Sequence, residues 1–191
     1  MKKFFLIGKN KLFKLNRSIT GGGLKKTLKI IKKNFGNLKI KKIKSGTKVF
    51  DWKIPPEWNV TEAYILDNNN KKIVDFSKNN LHLIGYSTPI NKLLNRRQLF
   101  KKLYFLKNKP SAIPYITSYY KKRWGFCVSY NFFQSLKKKY KEKDIFRVVI
   151  KSKFNDKGFL NYGELVLKGN TKSEILISTY ICHPSMANNE L

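Results

Sequence analysis

The chain has 191 residues, enough for one ordinary domain with a hydrophobic core of its own. Its formal net charge of +30 comes from 41 lysines and arginines against 11 aspartates and glutamates, a balance that suits polyanion binding. However, lysine outnumbers arginine heavily, the lysines lie along the whole chain, and the sequence has no zinc-finger, basic-zipper or RNA-recognition motif. We therefore expect no specific nucleic-acid partner, but non-specific polyanion binding at low salt.

Cysteine usage and hydropathy give no sign of an oxidising compartment or a membrane. Cys127 and Cys182 lie far apart and form no Cys-x-x-Cys pair. The apolar residues 4–7 are too few for a secretory signal, and no apolar run approaches transmembrane length. We predict a cytoplasmic protein with no membrane partner.

The first predicted segment, residues 1–46, contains a short amphipathic helix at 24–33, where leucine and isoleucine recur at helical spacing. Three glycines at 21–23 precede this helix. They do not match a phosphate-binding loop, because no clear strand comes before them and the Gly-Lys-Ser/Thr ending is missing. A flexible entry into the helix is the simpler interpretation.

The second predicted segment, residues 47–140, is rich in β-strands bounded by clusters of turn residues. We predict strands at 63–66, 72–76 and 81–86, helices at 95–106 and 131–140, and an aromatic strand region at 113–120. His82 alternates with apolar neighbours in the third of these strands. We interpret it as an outward-facing strand residue without a functional role.

Basic and aromatic residues interleave in TSYYKKRWGFC, residues 117–127. Such a pattern could bind nucleic acid by stacking on the bases. A hairpin that packs its aromatic side chains into a small β core is the interpretation that we favour. Cys127, between Phe126 and Val128, is typical of a small buried hydrophobic residue.

The third predicted segment, residues 141–191, ends in the candidate site. We predict strands at 145–150 and 160–167 joined by a hairpin turn at 155–158, then a strand at 175–181 that is buried on both faces. The chain stops soon after this last strand, with no helix to follow it. A parallel sheet needs crossover helices, so we expect the chain to be the N-terminal part of a longer protein.

His183 lies directly after the predicted strand 175–181, and Asn189 and Glu190 follow six and seven residues later. Ligands of open α/β sheets bind beyond the carboxyl ends of the strands. Zinc accepts both neutral imidazole and carboxylate oxygen, so these residues could share a metal ion. The spacing alone leaves open the alternative that His183 is a hydrogen-bonded structural residue.

Three stretches resemble one family. ICHPSMANNEL at 181–191, LNRSITGGGLKKTLKIIKK at 15–33 and TSYYKKRWGFC at 117–127 resemble the zinc-dependent aminopeptidases with two co-catalytic metals. More closely, they resemble prokaryotic aminopeptidase-like proteins often encoded among polysaccharide-biosynthesis genes. The resemblance implies an α/β, zinc-aminopeptidase-like mixed-sheet domain, incomplete here and interrupted by a small β-rich inserted domain at 47–140. Residues 1–46 and 141–191 would then belong to the peptidase-like domain.

The resemblance also assigns the site residues. His183 matches the family's metal-binding histidine, and the turn at 187–190 matches the one that carries the carboxylate bridging both metals. This sequence departs from the pattern at Ser185, where the family has an aspartate that orients the histidine, and at Asn189, which replaces the bridging carboxylate. Either Glu190 takes over as ligand, or the complete protein holds one zinc ion instead of two, or it holds none.

The function implied by the resemblance is hydrolysis of an amide bond in a small peptide or amino-sugar-type substrate. In the family, metal-bound water attacks the carbonyl and a glutamate acts as general base. That glutamate and the remaining ligands would lie beyond Leu191, so we expect no catalytic residue and no activity in these 191 residues. Two alternatives stay open: a non-catalytic relative that binds peptide-like or glycan-related ligands, and a basic polyanion-binding protein.

Overall fold

The computed structural model describes residues 6–184, which form a mixed α/β structure, as the sequence predicts. The chain divides into two compact units. The terminal unit consists of residues 1–58 and 154–191, and the central unit of residues 59–153. The sequence predicts boundaries after residues 46 and 140 instead. That the middle of the chain is a domain inserted into a peptidase domain stays a prediction.

Strands outnumber helices among the described residues. In chain order the elements are a π-helical turn at Gly8–Leu12, α1 at Gly22–Asn34, β1 at Lys39–Lys44, β2 at Lys48–Val49, β3 at Trp52–Lys53, β4 at Glu57–Leu66, β5 at Lys72–Asp75, a 3-10 turn at Asn80–His82, β6 at Ile90–Asn95, α2 at Arg96–Phe100, β7 at Leu103–Tyr104, β8 at Phe126–Cys127, α3 at Tyr130–Lys139, β9 at Ile145–Asn155 and β10 at Phe159–Glu164. No helix among residues 6–184 is long and apolar enough to cross a membrane.

In the terminal unit, helix α1 packs on an antiparallel ribbon formed by β1 and β10. The apolar face of the helix buries Leu24 and Leu28, so the amphipathic helix expected from the sequence is confirmed. Gly163 of β10 makes the close packing possible. A Cβ atom there would lie 3.2 Å from side-chain carbons of both Leu28 and Leu38.

The central unit is built on a four-stranded sheet in the order β5-β4-β9-β6. Strand β9 pairs antiparallel with β6 and carries much of the core, because Phe146, Val148, Val149 and Ile150 are all buried. A small parallel pair, β7 with β8, lies outside this sheet. Helix α3 begins at a Ser129 side chain that accepts a hydrogen bond from a backbone N–H.

The helix predicted at 95–106 is wrong beyond its first turns. Helix α2 starts with a capping box formed by Asn95 and Gln98, but it ends at Phe100. The next residues turn, and Leu103 and Tyr104 then pair with β8. Pairing with a strand distant in sequence overrides the local helical pattern.

The strand predicted at 81–86 is also wrong. The Asn79 side chain accepts a hydrogen bond from the Leu81 N–H and starts the 3-10 turn, an alternative that asparagine offers to strand pairing. The aromatic region 113–120 forms no regular strand. It contributes one bridge, between Thr117 and Gly85, so the predicted aromatic hairpin is not present.

Two predictions for the last segment fail as well. A turn closes between Asn155 and Gly158, but β9 and β10 belong to different sheets and form no hairpin. Residues 175–181 are not a buried strand. They run without regular structure, and Ile175, Leu176 and Ile177 are 92%, 90% and 89% exposed. No strand in the described part of the chain pairs with them.

Candidate functional site

His183 is tied to the beginning of the terminal unit. Its backbone carbonyl accepts a 2.7 Å hydrogen bond from Nε of Arg17, 166 residues earlier in the chain. Its ring meets the ring of Tyr180 edge-on, with centroids 4.8 Å apart. The side chain of this candidate ligand is half-buried. The main chain at His183 is therefore held by a residue that no motif or spacing connects with it.

Arg17 is itself fixed by the close packing of its own segment on helix α1. It is only 4% exposed. A Cβ atom on Gly23 would lie 1.8 Å from the backbone oxygen of Asn16, so the helix start can touch this segment only through a glycine. Gly21 has φ of +92°, a conformation that favours glycine. Gly21 and Gly23 thus serve turning and close packing, a role that the interpretation as a flexible entry did not include.

A buried carboxylate joins three parts of the terminal unit. Glu57 accepts hydrogen bonds from Nζ of Lys25 at 3.0 and 2.9 Å and from the Phe159 N–H at 3.2 Å. Its side chain is 9% exposed. The lysine comes from α1 and the N–H from the start of β10, so the carboxylate links the helix to the ribbon. Sequence reasoning missed this link, because the partners lie 32 and 102 residues away from Glu57.

The described residues contribute one of the three predicted metal ligands, His183. Asn189 and Glu190 lie outside the residues that the structure describes. Within residues 6–184, no three His, Cys, Asp or Glu side chains lie together as a metal site would require. The thiol of Cys182, next to His183, is partly exposed. Zinc sites need three or four protein ligands, so the described residues do not form such a site by themselves.

His82 has a structural role, although it is not the outward-facing strand residue that the sequence suggests. Its Nδ1 lies 2.8 Å from the carbonyl oxygen of Cys127. Burial lowers the pKa of His82, against the smaller opposite effects of that carbonyl and of Asp75. Cys127 is fully buried, as expected, and burial raises the pKa of its thiol to about 12. The thiol is therefore unreactive at neutral pH.

Comparison with known proteins places the chain in a family. Residues 7–191 match the model of the family described as "Domain of unknown function (DUF4910)". The chain is 45% identical over 180 residues to the "Putative polysaccharide biosynthesis protein with aminopeptidase-like domain" of Clostridium acetobutylicum, a match that covers 94% of this chain and 40% of the relative. The resemblance to aminopeptidase-like proteins with a polysaccharide connection is thereby confirmed.

A solved structure with a similar level of sequence identity to this chain shares its fold. The crystal structure of a "putative peptidase" from Clostridium acetobutylicum superimposes with a TM-score of 0.88 at 43% identity. The match covers 98% of this chain and 42% of that one. The chain thus spans about two fifths of the length of the relatives that it matches.

Proposed function

Since the chain belongs to the family described as a domain of unknown function (DUF4910), we propose that it is the N-terminal portion of an aminopeptidase-like hydrolase. The substrate would be a peptide or an amino-sugar-type compound, and the bond cleaved an amide. One observation carries the proposal: 94% of the chain aligns at 45% identity with a protein whose name includes an aminopeptidase-like domain. A solved relative named as a peptidase points to the same chemistry.

We further propose that His183 is a zinc ligand in the complete protein. A bound zinc ion, one or two in number, would supply Lewis-acid chemistry at the amide. At the predicted site the described residues offer one imidazole, that of His183, so Asn189 or Glu190 and residues of a longer chain would have to complete the ligand set. Arg17 supports this role of His183, because a hydrogen bond to the His183 carbonyl restrains the main chain that carries the imidazole.

Ligand binding without cleavage is the second candidate function. The amide of Asn189 is a neutral and weaker metal ligand than the carboxylate that the resemblance leads one to expect. A protein that has lost its metal would keep the substrate-shaped surface and lose the reaction.

The test uses the complete protein encoded by the gene, with its metal content and amide hydrolysis measured side by side. We expect stoichiometric zinc that is lost in His183→Ala. The other histidine provides the matched control: His82→Asn keeps an N–H directed at the Cys127 carbonyl and should keep the zinc. Metal content unchanged in His183→Ala would refute the ligand role. Absence of both zinc and hydrolysis, with a peptide or N-acyl amino sugar still bound, would favour the second candidate.

A further inference from the structure

Arg123, in the central unit, is a half-buried cation. One of its nitrogens, Nη2, donates a 2.9 Å hydrogen bond to the carbonyl of Thr117. Its Nε is buried and has no hydrogen-bond partner within residues 6–184. No carboxylate in the described part of the chain forms an ion pair with it. Burying a charged group is costly unless it is paired and hydrogen-bonded, so this guanidinium lacks an anionic partner.

A second donor without a partner belongs to the residue that Arg123 contacts. Among the described residues, the hydroxyl of Thr117 is also buried without a hydrogen-bond partner. It packs closely on the main chain of Gly85, where a Cβ atom would lie 3.0 Å from Oγ1. Because Arg123 Nη2 bonds the carbonyl of Thr117, the two donors belong to residues in direct contact.

The loop between these residues, 117–123, is anchored at both ends. At the first end, the Ser118 N–H donates to the carbonyl of Gly85 at 3.0 Å. At the other end, the Thr88 N–H donates to the carbonyl of Arg123 at 3.0 Å. The anchored ends hold the two donors in place, while the tip of the loop projects Tyr120, which is 64% exposed.

A strained residue lies behind the loop. Tyr86 is 1% exposed and has φ of +65°, which is uncommon for a residue with a bulky side chain. Its ring contacts that of Tyr119 edge-on, with centroids 5.0 Å apart. Strain of this kind persists where the surrounding structure requires it and clusters at ligand-binding sites.

We propose that loop 117–123 binds a carboxylate or phosphate group of a small ligand, with Arg123 Nε and Thr117 Oγ1 as its hydrogen-bond donors. An oxyanion supplies only acceptors and a negative charge, which is what both donors and the guanidinium lack. A water molecule could accept a hydrogen bond but would leave the charge uncompensated. The exposed Lys121 and Lys122 at the tip attract an anion to the loop.

Entry of the ligand requires movement of the tip, because both donors are shielded from solvent. On binding, the loop would change from a closed form, in which the two donors have no acceptor, to an open form in which both donate to the ligand. The site is independent of zinc and of His183, and it goes beyond the hydrolase proposal.

The experiment titrates the complete protein encoded by the gene with acetate in one arm and methyl phosphate in the other, at constant ionic strength. Binding is followed by calorimetry and by the NMR signal of the Arg123 Nε–H. We expect saturable binding of at least one anion and a shift of that signal. The arm with the tighter binding identifies the group as carboxylate or phosphate.

Four variants separate a built site from general charge attraction. Arg123→Lys keeps the charge but loses Nε, and Thr117→Val keeps the shape but loses the hydroxyl, so each should weaken binding about tenfold or more. Arg123→Gln should weaken it further. Arg147→Gln is the matched control: it removes the same charge from an exposed arginine that bonds Asn91, and it should leave binding unchanged. Equal weakening by Arg123→Gln and Arg147→Gln would overturn the proposal, as would the absence of saturable binding in both arms.

Discussion

At the scale of single residues, a buried hydrogen bond in the central unit helps to lower the pKa of a carboxyl group. The hydroxyl of Tyr140 donates at 2.8 Å to Oδ2 of Asp67, and the N–H groups of Asn69 and Lys71 donate to Oδ1. Burial by itself raises the pKa of the Asp67 carboxyl, but these hydrogen bonds together outweigh it, so the pKa lies below its usual value. Burial and the same carboxylate raise the pKa of Tyr140.

We predict that Tyr140→Phe destabilises the protein by about 1–3 kcal/mol at pH 7, because it leaves a buried acceptor unsatisfied. A carboxyl with a depressed folded-state pKa stabilises fully above its unfolded pKa, and the contribution is lost as the pH falls through the folded value. The difference in the free energy of unfolding between wild type and variant should therefore shrink below about pH 4. Urea unfolding at neutral and acidic pH measures this difference. Tyr130→Phe, whose hydroxyl has no hydrogen bond in the described residues, is the control and should change little. If Tyr140→Phe lost the same amount of stability at neutral and acidic pH, this account would be contradicted.

At the scale of elements, the start of helix α1 depends on a close backbone contact. Gly23→Ala places a Cβ 1.8 Å from the Asn16 carbonyl oxygen, and backbone atoms cannot rotate away as a side chain can. We expect a loss of stability of at least about 1–3 kcal/mol, the range for overpacked sites.

Gly36→Ala is the matched control, since a Cβ there meets nothing within 4 Å. It should be neutral or stabilising by up to about 1 kcal/mol. Thermal unfolding of both variants measures the two changes in stability. If the Gly23→Ala protein is as stable as the Gly36→Ala protein, the packing of the main chain at Asn16 and Arg17 on helix α1 does not require a glycine at position 23.

The sequence predicted elements well where local periodicity and burial agree, as in α1, α3, β5 and the last four residues of β4. It failed where pairing between distant residues decides, as at Leu103, whose strand partner Phe126 lies on the far side of a long irregular segment. At the candidate site, the sequence predicted a buried strand directly before His183, and residues 175–181 do not form it. The link between His183 and Arg17 was not predictable either, because a hydrogen bond to a backbone carbonyl leaves no mark on residue spacing.

At the scale of the whole molecule, the charge of +30 has a consequence that depends on salt. We predict that the chain binds random-sequence duplex DNA at about 50 mM salt. Binding through 6–10 phosphates should weaken about 10³–10⁵-fold by 200 mM. Fluorescence anisotropy with two unrelated DNA sequences measures both the salt slope and the preference. Tight binding of one sequence that survives physiological salt would revive the interpretation as a specific nucleic-acid-binding protein.

The exposed segment at 175–181 also bears on how the chain behaves during synthesis. Its core, Ile175 to Ile177, is apolar, uncharged, free of proline and almost fully accessible. Short stretches with this composition pair with copies of themselves and nucleate fibrils. Until some other surface covers it, the segment is an aggregation hazard and resembles the stretches that chaperones bind on nascent chains. We therefore expect these 191 residues to have low solubility when they are produced alone, even though the central unit is folded.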